Sequence, residues 1–366
     1  MNIIVDKNLL YVPLSKLVGI TERRSIMPIL SNILIVFSPD TISIYSTDLE
    51  MSAMSHIPYE MKGSGVESET KVVVHGRKFF EILREMENED ITLDFAENVM
   101  TLCQRQAEFV LTLQDPEEFP EVKEVVGLDE FTLKGDLFLE LLDKVNFAIS
   151  SDEARYVLTG MYMIGRDGKV TVVGTDGFRM AMYEREVEGV KGFKGIIIPK
   201  RSLVEVGKMV EETGDIRFVV GEKHVQFSAG NVTVISRLIE GNFPDYENVI
   251  PKTNENVANI EKNRFLRGLR KVATIINKGE PVKITFSENE MAVEAESGIG
   301  RAKEVVAIDY KGEVLAMNFN VRFLTDVISH IEGESIIVKA PTNYGAVLFG
   351  GENTEHYKNI VMPIRV

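Results

Sequence analysis

One helical pattern occurs three times in this chain, at Arg77-Lys-Phe-Phe-Glu-Ile82, Arg201-Ser-Leu-Val-Glu-Val206 and Arg322-Phe-Leu-Thr-Asp-Val327. Each copy has a cation, an apolar residue two later, a carboxylate four later and an aliphatic five later. The copies start 124 and 121 residues apart. A second pattern precedes the first in each third: Leu10, Leu14 and Leu17 correspond to Phe138, Leu142 and Val145, and to Phe265, Leu269 and Val272. Spacing i, i+4, i+7 puts the three side chains on one helical face. Two helices recurring in one order at nearly one offset constrain the chain to three copies of a single unit. That period is too long for a solenoid repeat of about 20–50 residues, so the units are whole domains.

Short β-branched runs follow each helix. Ile33–Phe37 with Thr41–Tyr45, Met161–Ile164 with Val170–Val173, and Val282–Phe286 with Met291–Ala295 follow the first. Ile91–Phe95 with Phe109–Leu113, Ile216–Val220 with Val232–Ile235, and Ile336–Lys339 with Ala346–Phe349 follow the second. Such runs favour strands. Each third therefore reads as helix, strands, helix, strands. Proline marks the exits, at Glu118-Phe-Pro-Glu-Val122, Asn242-Phe-Pro-Asp-Tyr246 and Met362-Pro-Ile-Arg365, because proline cannot continue a central ladder. The expected domains are 1–121, 129–251 and 252–366, in an α+β class with two helices packed on antiparallel sheets in each repeat.

At 366 residues the chain exceeds one ordinary core. No apolar run approaches the ~20 residues of a membrane helix. The start, Met1-Asn-Ile-Ile-Val-Asp6, lacks the cationic segment and cleavage pattern of a signal peptide. The lone Cys103 can form no internal disulfide; both features fit a cytoplasmic protein. Only four Gln stand against abundant Glu and Lys, a bias seen in proteins from hot environments.

The residues show no catalytic constellation. Histidines 56, 75, 224, 330 and 356 have no i, i+3 or i+4 partner, so neither a metal nor a cofactor is expected. Walker and Gly-x-Ser-x-Gly patterns are absent. Asp48 and Asp176, 128 apart in Thr-Asp pairs, invite an acid/base reading, but a short acid ending a strand commonly caps a turn.

Net charge is −15, which opposes non-specific nucleic-acid binding by the molecule as a whole. The repeated helices differ from that average. Lys7, Lys16, Lys144, Lys262, Arg264, Arg267, Arg270 and Lys271 surround the first helices, and Arg77, Lys78, Arg84, Lys200, Arg201, Lys208, Arg322 and His330 the second, with Arg23 and Arg24 nearby. Cations kept on one helical layer in all three repeats of an acidic protein point to a phosphate-facing surface, sequence-independent and salt-sensitive.

The motifs Met27–Leu34, Thr47–Met51, Arg155–Gly160, Thr175–Ala181, Gly241–Tyr246, Phe319–Val321 and Val361–Arg365 resemble, end to end, the β subunit of bacterial DNA polymerase III, the DNA sliding clamp. The resemblance implies three similar domains per chain and a head-to-tail homodimer closed as a ring of six domains. It implies helices around the hole, passage of double-stranded DNA, and no catalysis. It also implies a partner cleft taking short linear peptides from the polymerase III alpha subunit, the clamp loader, and repair and translesion polymerases. By motif, that cleft comprises Arg155, Leu158, Thr175, Gly177, Phe178, Arg179, Met180, Pro244, Val249, Phe323, Ala346, Val361, Met362, Pro363 and Ile364, with Arg155 and Arg179 at its rim. The implied DNA-facing positions are Arg24, Arg77, Tyr156, Lys200 and Asn320. Phe109 and Leu111 are expected to meet Thr274, Ile275 and Ile276 at the ring seam. The chain departs from relatives at Phe178, often His, at Glu247-Asn248, usually more basic, and at Asp152 and Val157.

Two other classes compete. A nucleic-acid enzyme would need clustered acids for metal ions. A monomeric scaffold would run near 41 kDa rather than twice that.

Overall fold

The computed structural model describes residues 2–21, 27–59, 69–210, 214–251, 256–277, 279–342, 344–352 and 355–365. The first third contains β1 (Asn2–Asp6), α1 (Lys7–Leu17), β2 (Asn32–Phe37), β3 (Thr41–Thr47), β4 (Met51–Pro58), β5 (Thr70–His75), α2 (Gly76–Glu85), β6 (Asp90–Ala96), β7 (Val99–Gln104) and β8 (Ala107–Thr112). The second contains β9 (Asp129–Lys134), α3 (Gly135–Asn146), β10 (Gly160–Arg166), β11 (Lys169–Thr175), β12 (Arg179–Glu186), β13 (Phe193–Pro199), α4 (Lys200–Val210), β14 (Asp215–Val220), β15 (His224–Ala229) and β16 (Val232–Arg237). The third contains β17 (Asn256–Glu261), α5 (Lys262–Ala273), β18 (Pro281–Ser287), β19 (Glu290–Ser297), β20 (Gly300–Ala307), β21 (Leu315–Asn320), α6 (Val321–His330), β22 (Ser335–Ala340), β23 (Val347–Gly350) and β24 (Tyr357–Val361). Each third thus runs strand, helix, four strands, helix, three strands.

Helical spacing places the expected apolar side chains in the core of α1 and α5. Leu10, Leu14 and Leu17 of α1 and Phe265, Leu269 and Val272 of α5 are buried. In α3 the core positions are Phe138, Leu141 and Val145. The expected Leu142 is only half-buried, because the adjacent Leu141 faces the core instead. Side-chain caps start three of the six helices in the same way. Asp6 accepts from Asn8 N at 2.7 Å, Glu261 from Asn263 N at 2.9 Å, and Asn320 from Arg322 N at 3.0 Å.

Two compact units result, one of residues 1–139 and 201–238, the other of 140–200 and 239–366. The first holds an eight-stranded sheet, β5-β2-β3-β4-β16-β15-β14-β9, and a four-stranded sheet, β1-β6-β7-β8. The second holds the eight-stranded β13-β10-β11-β12-β24-β23-β22-β17 and the four-stranded β20-β19-β18-β21. All pairings are antiparallel. Sheets do not stop at the ends of repeats: β4 of the first third pairs with β16 of the second, Ser52 opposite Ile235. In the same way β12 pairs with β24, Met180 opposite Ile360.

Candidate functional site

The Thr-Asp pairs build identical turns in the two units. Between β11 and β12, Thr175 Oγ1 donates to Arg179 O at 2.7 Å and accepts from Gly177 N at 3.1 Å. Asp176 Oδ1 accepts from the amides of Phe178 and Arg179, both at 2.9 Å. Between β3 and β4, Thr47 Oγ1 meets Met51 O and Leu49 N, both at 3.1 Å, and Asp48 Oδ1 accepts from Glu50 N and Met51 N. Both carboxylates are engaged as turn caps and then paired with arginine: Asp176 with Arg179 at 3.0 Å, Asp48 with Arg201 at 2.5 Å. With one oxygen bonded to two backbone amides and the other facing an arginine, neither carboxylate is placed to take a proton from a substrate.

Arg179 departs from expectation. It is 7% exposed, so it does not sit at a rim. Its guanidinium donates to Asp176, to Asp326 Oδ2 at 2.6 Å and to Phe147 O at 2.6 Å, with the rings of Phe147 and Phe323 at 5.5 and 4.5 Å. Five fixed donors on a planar group suit this junction of helix end, turn and α6. Arg179 therefore fixes the site from beneath. Arg155 is the rim cation: it lies over the Phe178 ring at 5.1 Å and donates to Asp176 O at 3.1 Å. Gly177 has φ +84, and a Cβ there would lie 2.8 Å from the Arg155 guanidinium, so a larger residue would displace that arginine.

Around this turn the chain end closes the site. Val361 pairs with Arg179 on one side and Val347 on the other. Past the strand, Met362 N donates to Phe178 O at 2.8 Å and Ile364 N to Asn318 O at 2.7 Å. Met180, Val173, Tyr246 and Ile360 form a buried cluster with Ala346, Tyr162, Phe243 and Leu348 packed against it. Leu158, Thr175 and Val361 are buried, while Phe178 (52% exposed), Val249 and Met362 present apolar surface; Pro244 is also exposed, and Pro363 and Ile364 are half-buried. A cavity of about 730 Å³ lies beside the cluster, bounded by Met182, Tyr246 and Ile250. Burial pushes the Tyr246 phenol up to about 12, helped by the neighbouring Glu247, as expected of a partly desolvated hydroxyl. Tyr162 and Phe243, stacked at 4.8 Å, were not among the expected site residues. Phe243 and Tyr246 lie in the Phe-Pro exit and the Gly241–Tyr246 motif, whereas Tyr162 lies outside every motif.

The expected DNA-facing residues divide. Arg24 lies outside the described residues. Tyr156 and Arg77 are exposed, Arg77 with Glu81 at 3.5 Å. Lys200 is half-buried and its Nζ donates to Asn146 O at 2.9 Å at the end of α3. Burial, then the charge of Arg179, lowers its pKa. Asn320 uses its side-chain oxygen as the α6 cap. Two cations of the expected phosphate layer are not on a surface at all. Lys7 is 3% exposed and donates to Met86 O. Lys144 is 6% exposed and donates to His330 O and Glu332. A lysine that closes a helix C-terminus is satisfied by carbonyls that would otherwise be orphaned, a role that helix spacing does not distinguish from a solvated cation. Arg264, Arg267, Arg270, Lys271, Arg201, Lys208 and Arg322 are exposed.

Phe109 and Leu111 lie on β8, the edge of its sheet. Thr274, Ile275 and Ile276 follow α5, where Ser297 Oγ donates to Ile275 O at 2.7 Å. Among the described residues no group of three or more His, Cys, Asp or Glu could hold a metal, and no helix is long and apolar enough to cross a membrane.

Three family models match the chain in succession: DNA polymerase III beta subunit N-terminal domain over residues 1–123, central domain over 132–245 and C-terminal domain over 247–365. A relative named beta sliding clamp from Pseudomonas aeruginosa is 27% identical, with all of both chains covered. The crystal structure of the DNA polymerase sliding clamp from Caulobacter crescentus superposes with a TM-score of 0.94 at 27% identity over all of both chains. That of the DNA polymerase III beta subunit from Thermotoga maritima superposes at 0.91 and 26%, covering all of this chain and 99% of the other.

Proposed function

The chain belongs to the DNA polymerase III beta-subunit family of DNA sliding clamps, and from that premise we propose that two copies join head to tail into a ring around duplex DNA. The ring tethers the polymerase and catalyses nothing itself. The observation that carries the dimer is the mismatch between the two kinds of sheet. Two sheets have eight strands, each made by joining half-sheets of successive repeats through β4–β16 or β12–β24; two have four, and their edges β8 and β20 are the repeat counterparts of those joined strands. An exposed edge is a template for another strand.

The repeat supplies the register. In the backbone bonds Gln114 N to Val73 O, Ile239 N to Ile197 O and Ile364 N to Asn318 O the donors recur every 125 residues, which aligns Leu111 with Ser236 and Val361. The ladders align Gly300 with Met51 and Arg179. By analogy with the pairs Met51 with Ser236 and Arg179 with Val361, the proposed seam sets Gly300 opposite Leu111 of the second copy, Ala302 opposite Phe109, and Lys303 opposite Glu108. Leu111 and Phe109 turn toward Ile275, whose Cδ1 lies 3.4 Å from a Cβ built on Gly300. Opposite charges face each other outside.

In this reading the domains are 1–121, 129–251 and 252–366. Arg24, Arg77, Tyr156, Lys200 and Asn320 belong to the DNA-facing set, contacting phosphates weakly. Threading rather than grip keeps the ring on DNA, since tight base contacts would stop sliding. The apolar surface of Phe178, Val249 and Met362 over the Met180–Tyr246 cluster takes short linear peptides from the polymerase alpha subunit, the clamp loader, and repair and translesion polymerases. Localisation is cytoplasmic. The test is retention on DNA after assisted loading. A ring stays on circular DNA through a high-salt wash and leaves linear DNA from its ends; equal loss from both forms refutes closure.

A further inference from the structure

The first unit contains a groove of about 480 Å³ at the position that, in the second unit, is the peptide cleft. Repeat alignment equates Thr47 with Thr175, Leu49 with Gly177, Glu50 with Phe178 and Ser52 with Met180. On the facing wall Pro120, Val125, His224 and Ile235 correspond to Pro244, Val249, Ala346 and Ile360. All eight first-unit residues line the groove, and its turn carries the same hydrogen bonds as its counterpart.

The chemistry has changed. The rim loses the Phe178 aromatic and gains carboxylates, with Glu50, Glu121, Glu124 and Glu222 against Lys123 and Lys223. Lys123 is held by Glu121 at 2.8 Å and Glu50 by Arg237 at 3.4 Å, which leaves Glu124 and Glu222 against Lys223 at the rim. Val122, Val125 and Ile235 keep part of the wall apolar. Leu49 has φ +73, in the left-handed region where Gly177 sits without cost, and its side chain is 54% exposed. A γ-branched residue in that conformation is strained, and its apolar side chain stands in water. Val126, which lines the same groove, is 90% exposed.

We propose that this groove is a second docking site, for a short extended segment with lysine or arginine on either side of an aliphatic pair. The aliphatic pair covers Leu49 and Val126, and the flanking cations meet Glu124 and Glu222. Complementary charge at a rim favours such a segment over an acidic one. The inference rests on the peptide reading of the second-unit cleft only for the extended form of the ligand.

The experiment uses the full chain and fluorescence anisotropy with two labelled hexapeptides, Gly-Lys-Leu-Val-Lys-Gly and its glutamate counterpart Gly-Glu-Leu-Val-Glu-Gly. The lysine peptide binds saturably below about 1 mM. The double variant Glu124→Lys, Glu222→Lys weakens it at least about tenfold, and raised salt weakens it too. Leu49→Gly, which relaxes the backbone and so does not endanger folding, weakens it several-fold. Met362→Ala leaves it unchanged while weakening an apolar polymerase-type peptide, which separates failure of this site from failure of the other. No saturable binding, equal binding of the glutamate peptide, or loss of the lysine peptide in Met362→Ala overturns the proposal.

Discussion

Replacing Glu108 by lysine tests the seam register more sharply than any truncation. In the proposed pairing Glu108 of β8 stands directly opposite Lys303 of β20 in the second copy, both on the solvent side. Opposite charges at a direct cross-strand position contribute roughly 0.2–1 kcal/mol, and like charges cost a similar amount. Lys303 also pairs with Glu294 at 3.2 Å within its own sheet, which damps the swing to about 1 kcal/mol per seam. A closed ring has two seams, so Glu108→Lys costs about 2 kcal/mol, or about thirtyfold in dimer dissociation constant. Analytical ultracentrifugation over a dilution series reads this directly, as a shift from twice the 41.1 kDa chain mass toward the single chain. Raised salt shrinks the difference. The exchange Glu108→Lys with Lys303→Glu restores the wild-type constant. If the exchange dissociates as readily as the single variant, the two residues are not opposite each other and the register is wrong.

Deleting Val361–Val366 removes the strand end that accepts Arg179 and the Met362 amide bond to Phe178; polymerase-peptide binding is lost in anisotropy while dimer mass persists. Arg179→Met removes the guanidinium contacts to Asp326, Asp176 Oδ2 and Phe147 O and is expected to cost about 3 kcal/mol, read as a lower urea midpoint for the second unit; an unchanged midpoint refutes the buried-anchor role. Alkaline stability follows from the tyrosines. Tyr183 and Tyr246 are raised to about 12 and Tyr357 is raised further, each chiefly by burial. A raised folded pKa means this stabilisation is complete below the unfolded value near pH 10 and is lost as pH rises through the folded values. The melting temperature therefore falls above about pH 10, and Tyr357→Phe flattens that fall; an identical slope in the variant refutes the assignment.

Three features were legible in the chain itself: the threefold repeat, the apolar faces of the helices apart from one position in α3, and the Thr-Asp turns. All are local patterns, set by helical spacing or by a side chain bonding its own neighbours. The partners of edge strands were not legible. A period of two residues tells a strand which face is buried but not which strand lies beside it, so the joining of β4 to β16 and β12 to β24 came only from the fold. The same limit hid the burial of Lys7, Lys144 and Arg179. Their charge and spacing match those of solvated cations, and only packing reveals that helix ends, carboxylates and aromatic rings enclose them. Leu141 displaced Leu142 for a related reason, since adjacent leucines differ by 100° of helix and the surrounding sheet selects between them.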